Sequence, residues 1–175
     1  MNKKYFFLVL FVLNFFAGCG YTTRSLLPSS FKTIYIEPFK NSITYTSEKG
    51  HTTYLPLLEV KIRNAVVDRF LFDGNLDVAE AETADLILKG VLKGYQRDAL
   101  RYTDSNDVQE YRINIITSLT LWDPMNNKAV WEESDFIGQT TYFPVGPQSK
   151  SESTAVEDAL VDLARRIVER TVEDW

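Results

Sequence analysis

One cysteine and one histidine limit the chemistry open to this 175-residue chain. A lone Cys19 cannot form an internal disulfide, a thiolate metal site or a CxxC redox pair. His51 would be the only possible base of a Ser-His-Asp triad. It stands near Glu48 in a polar stretch with no nucleophile-elbow pattern around it, and reads as a solvated loop histidine. Asp104-Ser105-Asn106-Asp107 resembles the opening of a calcium loop. Val108, however, stands where a third oxygen ligand belongs, and no bidentate Glu follows at the required spacing. Gly90 and Gly94 fall inside an alternating stretch rather than between a strand and a helix, so they form no phosphate-cradling loop. No catalytic residue, metal site or cofactor is expected.

The polar constellation that remains is cationic. Lys89 and Lys93 share a strand face with Tyr95, Arg97 and Arg101 follow near Tyr102, and Arg112 opens the next strand. Arginine pairs bidentately with phosphate, so these five are candidate contacts to a phosphate or an anionic lipid. The competing reading is an ordinary solvated sheet face, neutralised by Asp98, Asp104 and Asp107. Overall the chain is acidic, with 19 Lys and Arg against 24 Asp and Glu. That balance argues against a nucleic-acid partner, which usually meets a basic stripe.

Cys19 gains a meaning from what precedes it. Lys3 and Lys4 lead into Tyr5–Ala17, where 12 of 13 residues are hydrophobic, and the run ends in Phe16-Ala17-Gly18-Cys19. The run is too short to span a bilayer as a mature helix. The small residues before Cys19 resemble a bacterial lipobox, with Phe16 standing where Leu is usual. Cleavage before Cys19 is therefore expected, with acylation of the thiol and the new amino group; the alternative is a structural Cys behind an uncleaved anchor. Residues 1–18 are then a lipoprotein signal peptide and 19–32 a lipidated tether. The mature 157 residues carry 17 basic and 24 acidic side chains, a charge of −7. In proteobacterial lipoproteins an Asp after the Cys commonly marks inner-membrane retention; Gly20 is compatible with the outer membrane.

The elements that must hold these residues are readable by period. Thr33–Phe39 is β-rich and ends at Pro38, and Lys40–Thr53 reads as a loop. A helix is expected from near Tyr54–Pro56, with Leu58, Ile62, Ala65, Val66 and Phe70 on one face and a stop at Asp73-Gly74. Ala84–Arg97 alternates, with Leu86, Leu88, Gly90, Leu92 and Gly94 on one side. Two glycines on that side point to close approach by a helix or another backbone. After a polar connection over Asp98–Val108, Tyr111, Ile113, Ile115, Thr117, Leu119 and Leu121 alternate with Arg112, Asn114, Ser118 and Thr120. Turn chemistry at Asp123–Lys128 returns the chain as a strand over Ala129–Phe143. A final helix follows, with Val156, Leu160, Leu163 and Ile167 as its stripe. Either Thr154 with Glu157 or Ser149 with Glu152 could cap it. The order β-α-β-β-β-α predicts an α+β two-layer sandwich over 33–175, two helices on a mostly antiparallel four-stranded sheet.

These features resemble the LPS-assembly lipoprotein (LptE) family over nearly the whole mature chain. The resemblance rests on order and spacing: Cys19-Gly20-Tyr21, then Ile34–Phe39 with Asn41, a helix ending Phe72-Asp73-Gly74, Ala84–Gly90 leading to Tyr95, and Leu121-Trp122-Asp123 with Val130-Trp131. It implies a non-enzymatic, lipid-anchored protein at the periplasmic face of the outer membrane. Such a protein plugs or assists assembly of an LptD-type β-barrel and contacts lipopolysaccharide. An activator of a peptidoglycan synthase, or another envelope adaptor, is the alternative that a small tethered α/β domain leaves open. An envelope hydrolase is disfavoured by the missing catalytic set.

Overall fold

Alternating apolar residues build three long strands, and helical stripes cover one side of them. The computed structural model describes residues 30–43 and 55–173. Cys19, His51 and the expected signal peptide lie outside the described residues, as does most of the tether. The elements are β1 (Thr33–Ile36), β2 (Lys40–Asn41), α1 (Leu58–Asp73), β3 (Asp77–Val78), β4 (Leu86–Tyr102), β5 (Val108–Asp123), β6 (Lys128–Tyr142) and α2 (Glu152–Val172).

The expected α+β sandwich with two helices is present, but its sheet is larger and mixed. Six strands run in the order β3-β1-β4-β5-β6, with β2 also on β4. β1 pairs parallel to both β3 and β4, and β2 pairs parallel to β4. Only the β4–β5 and β5–β6 pairs are antiparallel. The expected four-stranded layout missed β2 and β3 because two residues cannot show a period. The parallel pairing follows from the connection: α1 carries the chain back from β1 to β4, and such a crossover leaves the two strands parallel. The segment expected as a polar connection is mostly strand, since β4 continues to Tyr102 and β5 begins at Val108.

The core lies between the sheet and the helices. Leu58, Ile62, Val66 and Phe70 of α1 are buried, and ten residues of α2 are, including Ala159, Leu163 and Ile167. Opposite them lie Ile34, Ile36, Leu86, Leu88, Leu92, Ile113, Ile115, Leu119 and Leu121. Each such aliphatic side chain gains about 1.5–3 kcal/mol over exposure. α1 starts at Leu58, after Pro56 rather than on it. Leu57 precedes it at φ 60° and supplies no side-chain cap, while Gly74 closes it at φ 73° with its N–H donated to the Phe70 carbonyl. α2 is capped by Ser151, whose hydroxyl accepts from the Thr154 N–H at 3.1 Å. Neither of the expected capping boxes is used.

Glycines mark two tight contacts. A Cβ on Gly90 would meet the Phe39 ring at 2.1 Å. A Cβ on Gly138 would meet the Leu163 Cβ at 2.3 Å and the Ala159 carbonyl oxygen at 2.8 Å, so α2 lies directly on β6. Gly94, by contrast, has ordinary contacts with Ile116 at 3.5 Å or more; the expected approach by a helix or another backbone occurs at neither, since Gly90 makes room for the Phe39 side chain instead. α2 also covers part of the β6 edge. The Gln139 N–H donates to Asp162 at 3.0 Å, and the Arg166 guanidinium donates to the Ile137 carbonyl. Both groups would otherwise be open for pairing with another strand.

Candidate functional site

β4 positions four of the five candidate cations, and a β-bulge decides which way each points. Leu92 pairs with Thr117 and Gly94 with Ile116, so Lys93 is an extra residue without a ladder partner. Before the bulge the even-numbered side chains Leu86, Leu88 and Leu92 face the helices; after it the odd-numbered Tyr95 does. β6 has a matching irregularity, because Glu133 pairs with Leu119 and Phe136 with Thr117. The two bulges therefore flank β5 near Ser118. The Lys93 ammonium spans them, donating to the Ser134 carbonyl at 3.2 Å and approaching Asp135 at 3.4 Å.

Tyr95 is the clearest correction to the sequence reading. It does not share a face with Lys89 and Lys93; it is 1% exposed on the helix side. Its hydroxyl donates to Glu152 Oε1 at 2.8 Å, at the first residue of α2. Burial, and then the hydrogen bond to Glu152, push its ionisation far above the ordinary range for a tyrosine. Arg97 follows it inward and pairs with the other Glu152 oxygen. The Arg97 guanidinium also lies 5.0 Å from the Tyr111 ring centroid, and Tyr111 stacks on Tyr142 at 5.6 Å. Burial works against the Arg97 charge, but the hydrogen bond and the negative charge of Glu152 outweigh it and hold the guanidinium above its usual pKa. Arg97 is thereby a clamp on the α2 N-terminus.

The other four cations are dispersed. Lys89 stands on the outer face with its ammonium 4.9 Å from the Trp122 ring centroid. Lys93 is engaged across the bulges. Arg101 meets Glu110 at 3.4 Å near the end of the β4–β5 hairpin. Arg112 is exposed and makes no ion pair among the described residues. The five cations do not converge on one cluster.

A different set converges on the outer face. Gln96, Asn114 and Gln139 pair across β4, β5 and β6 in one row, and Asp98, Arg112 and Thr141 form the next. A basin of about 560 Å³ opens here, lined by Gln96, Arg112, Asn114, Ile137 and Gln139 and, along β6 and α2, by Glu133, Asp135, Phe136 and Arg166. The Asn114 amide donates to Asp98 at 3.3 Å. The sequence reading placed Arg112 and Asn114 on this face, but the partnership of Gln96 and Gln139 depends on both bulges. No cluster of His, Cys, Asp and Glu able to hold a metal occurs among the described residues.

The Ala84-Asp85 motif also acquires a physical role. The Asp85 carboxylate accepts from the N–H groups of Lys32 and Thr33 at 2.8 and 3.0 Å and from the Thr33 hydroxyl at 3.0 Å. It brackets the start of β1 against β4. The Lys32 backbone hydrogen bond is the main cause that holds its carboxyl below the usual aspartate range. Asp123 is likewise held down by the Asn126 side-chain and backbone N–H groups, at 2.7 and 3.0 Å.

A model of the LptE lipopolysaccharide-assembly family matches residues 31–171. The chain belongs to the LptE family. The match runs from two residues before β1 to the penultimate residue of α2, so it takes in every element of the sandwich. No curated protein matches the chain in sequence. Solved structures match it in fold. A Xanthomonas campestris protein is 13% identical with a TM-score of 0.57, covering 86% of this chain and 91% of its own. An uncharacterized lipoprotein B from Nitrosomonas europaea is 16% identical with a TM-score of 0.56, covering 83% and 84%. A minor lipoprotein from Acinetobacter baumannii is 13% identical with a TM-score of 0.53, covering 81% and 93%. LptE-family membership makes this a lipopolysaccharide-assembly protein of a non-enzymatic family.

Proposed function

We infer that this protein is anchored by acylated Cys19 to the periplasmic face of the outer membrane. There it docks in or against an LptD-type β-barrel and contacts lipopolysaccharide on its way to the outer leaflet. The observation that carries this reading is the family match across the whole sandwich. No described helix is long and apolar enough to cross a membrane; the lipobox-like Phe16-Ala17-Gly18-Cys19 supports attachment through a lipid on Cys19. Several acyl chains there bind far more firmly than one. A wide barrel lumen is polar, and the outer sheet face, with Gln96, Asp98, Arg112, Asn114 and Gln139, is compatible with such surroundings.

Lys89, Lys93, Arg97, Arg101 and Arg112 remain the candidate phosphate contacts, and their geometry ranks them. Arg112 and Lys89 stand on the outer face outside any ion pair among the described residues, whereas Arg97 is committed to Glu152. The deciding experiment is affinity purification of the chain from detergent-solubilised outer membrane. Recovery of an LptD-type barrel is expected, and recovery without one overturns the docking reading. Cys19→Ala should abolish labelling by radioactive palmitate; a labelled variant would remove Cys19 as the anchor. Lys89→Glu with Arg112→Glu should weaken lipopolysaccharide binding, and unchanged binding would remove both from the site.

A further inference from the structure

We propose that the outer-face basin of the sheet is a saccharide site that takes the core oligosaccharide of lipopolysaccharide, a sugar region distinct from its acyl chains. The proposal rests on the lipopolysaccharide reading and specifies which part of the ligand this face meets.

The ligand class follows from the chemistry of the two polar rows. Gln96, Asn114 and Gln139 each offer an amide that both donates and accepts, and register places them side by side on three strands. Sugar hydroxyls also donate and accept, so a row of amides can match a run of hydroxyls with no net charge. Cross-strand neighbours stand about 5 Å apart, close enough for one sugar unit to touch two of them. The Asn114 amide is already oriented by its bond to Asp98. On the other side of the amide row, Ile116 and Ile137 pair with each other and supply an apolar strip for the C–H face of a sugar ring.

Charge narrows the class further. Arg112 has no ion-pair partner among the described residues and is the register partner of Asp98, while Glu133 and Asp135 also line the basin; Arg166, the other guanidinium there, is committed to the Ile137 carbonyl and the Phe136 ring. A densely charged polyanion would be repelled by those carboxylates. A mostly neutral polyol carrying an occasional phosphate or carboxylate would find the uncommitted Arg112 guanidinium for that group and amides for the rest. An acyl chain fits poorly, since covering three amides with hydrocarbon strips them of water without replacing their hydrogen bonds. The Lys93 bridge to Ser134 and Asp135 fixes Asp135, which lines the basin, and it joins the two bulges of β4 and β6.

The test uses the full chain in detergent and three probes. These are core oligosaccharide freed of lipid A, lipid A without core sugars, and a muramyl glycan fragment. Saturation-transfer NMR and calorimetry should show the core oligosaccharide binding. Gln96→Ala with Asn114→Ala and Gln139→Ala should weaken it roughly tenfold. Arg112→Ala should weaken binding of the phosphorylated oligosaccharide and leave a dephosphorylated one unchanged. Should the triple variant fail to fold, Gln96→Ala and Gln139→Ala singly alter only exposed side chains and must still reduce binding. Equal binding by these variants overturns the proposal. So does binding of lipid A alone, or preference for the muramyl fragment. Failure to recover a barrel would overturn the docking reading but would leave the oligosaccharide result standing.

Discussion

The two faces of the same three strands do opposite work. On the inner face, β4 and β5 present Leu88, Leu92, Tyr95, Ile113, Ile115 and Leu121 to the helices, all at 1% exposure or less, and β6 adds the buried Trp131 and Tyr142. On the outer face the intervening residues are amides, hydroxyls and charges with scattered apolar neighbours. Along β5 the division is regular from Tyr111 to Leu121. Along β4 and β6 it holds only because a bulge changes which residues point inward. A cation on an alternating strand is thus assigned to a face by its distance from the bulge, and not by its parity alone. Arg97 shows the consequence, for it secures a helix where a regular alternation would have left it outside with the solvent.

Four tests probe this division. Gly138→Val strikes the inner face where α2 rests on β6. The new Cβ would overlap Leu163 and the α2 backbone, so a loss of about 3 kcal/mol or more is expected in denaturant unfolding. A neutral result would mean that α2 does not sit on β6 as described. Glu152→Ala comes next, because it orphans the buried Tyr95 hydroxyl and releases Arg97. About 1–3 kcal/mol should be lost, and Glu152→Gln should recover part of it through the hydrogen bond to Tyr95. If Glu152→Ala costs no more than Arg101→Ala, whose exposed pair contributes about 1 kcal/mol at most, the clamp is only a surface ion pair.

The third test is a pH profile. Asp85 and Asp123 have carboxyls held below their usual values, so the folded state binds their protons more weakly than the unfolded chain does. Their contribution is complete above the unfolded pKa near 4 and is lost as pH falls through the folded values. Asp85→Asn should therefore lower the melting temperature at pH 7 and flatten the acid limb, with the difference between the two proteins shrinking as pH falls through the lowered folded value. Parallel acid limbs would discard the bracket. The smallest effect belongs to the outer face: Gln96→Ala with Gln139→Ala should shift stability by no more than about 0.5 kcal/mol each. A larger loss would show that this face is structural.

Much of this architecture was legible because burial leaves a period. The stripe Leu58, Ile62, Val66, Phe70, the stripe on α2 and the alternation along β5 are each the imprint of one covered side. The glycine stop at Gly74 was legible for the same kind of reason, a conformation that one residue type tolerates best. β2 and β3 were not, since two-residue strands are held by pairing partners distant in sequence. The bulge at Lys93 escaped because an extra residue in a ladder has no characteristic side chain. That one residue hid the inward turn of Tyr95 and Arg97, the Glu152 clamp, and the alignment of Gln96 with Asn114 and Gln139. The candidate cations were found individually, while their dispersal over two faces and a hairpin end is a property of the register.

The cover that α2 places on β6 has a consequence for how the protein is made. Asp162, Arg166 and the Leu163 seat on Gly138 all belong to the last element of the chain. Until that helix has been synthesised and has docked, β6 exposes both an open edge and an apolar face. A chain cut short before α2 would present a sticky sheet to its neighbours. The sheet is therefore complete only when α2 docks, and closure of the β6 edge marks that state.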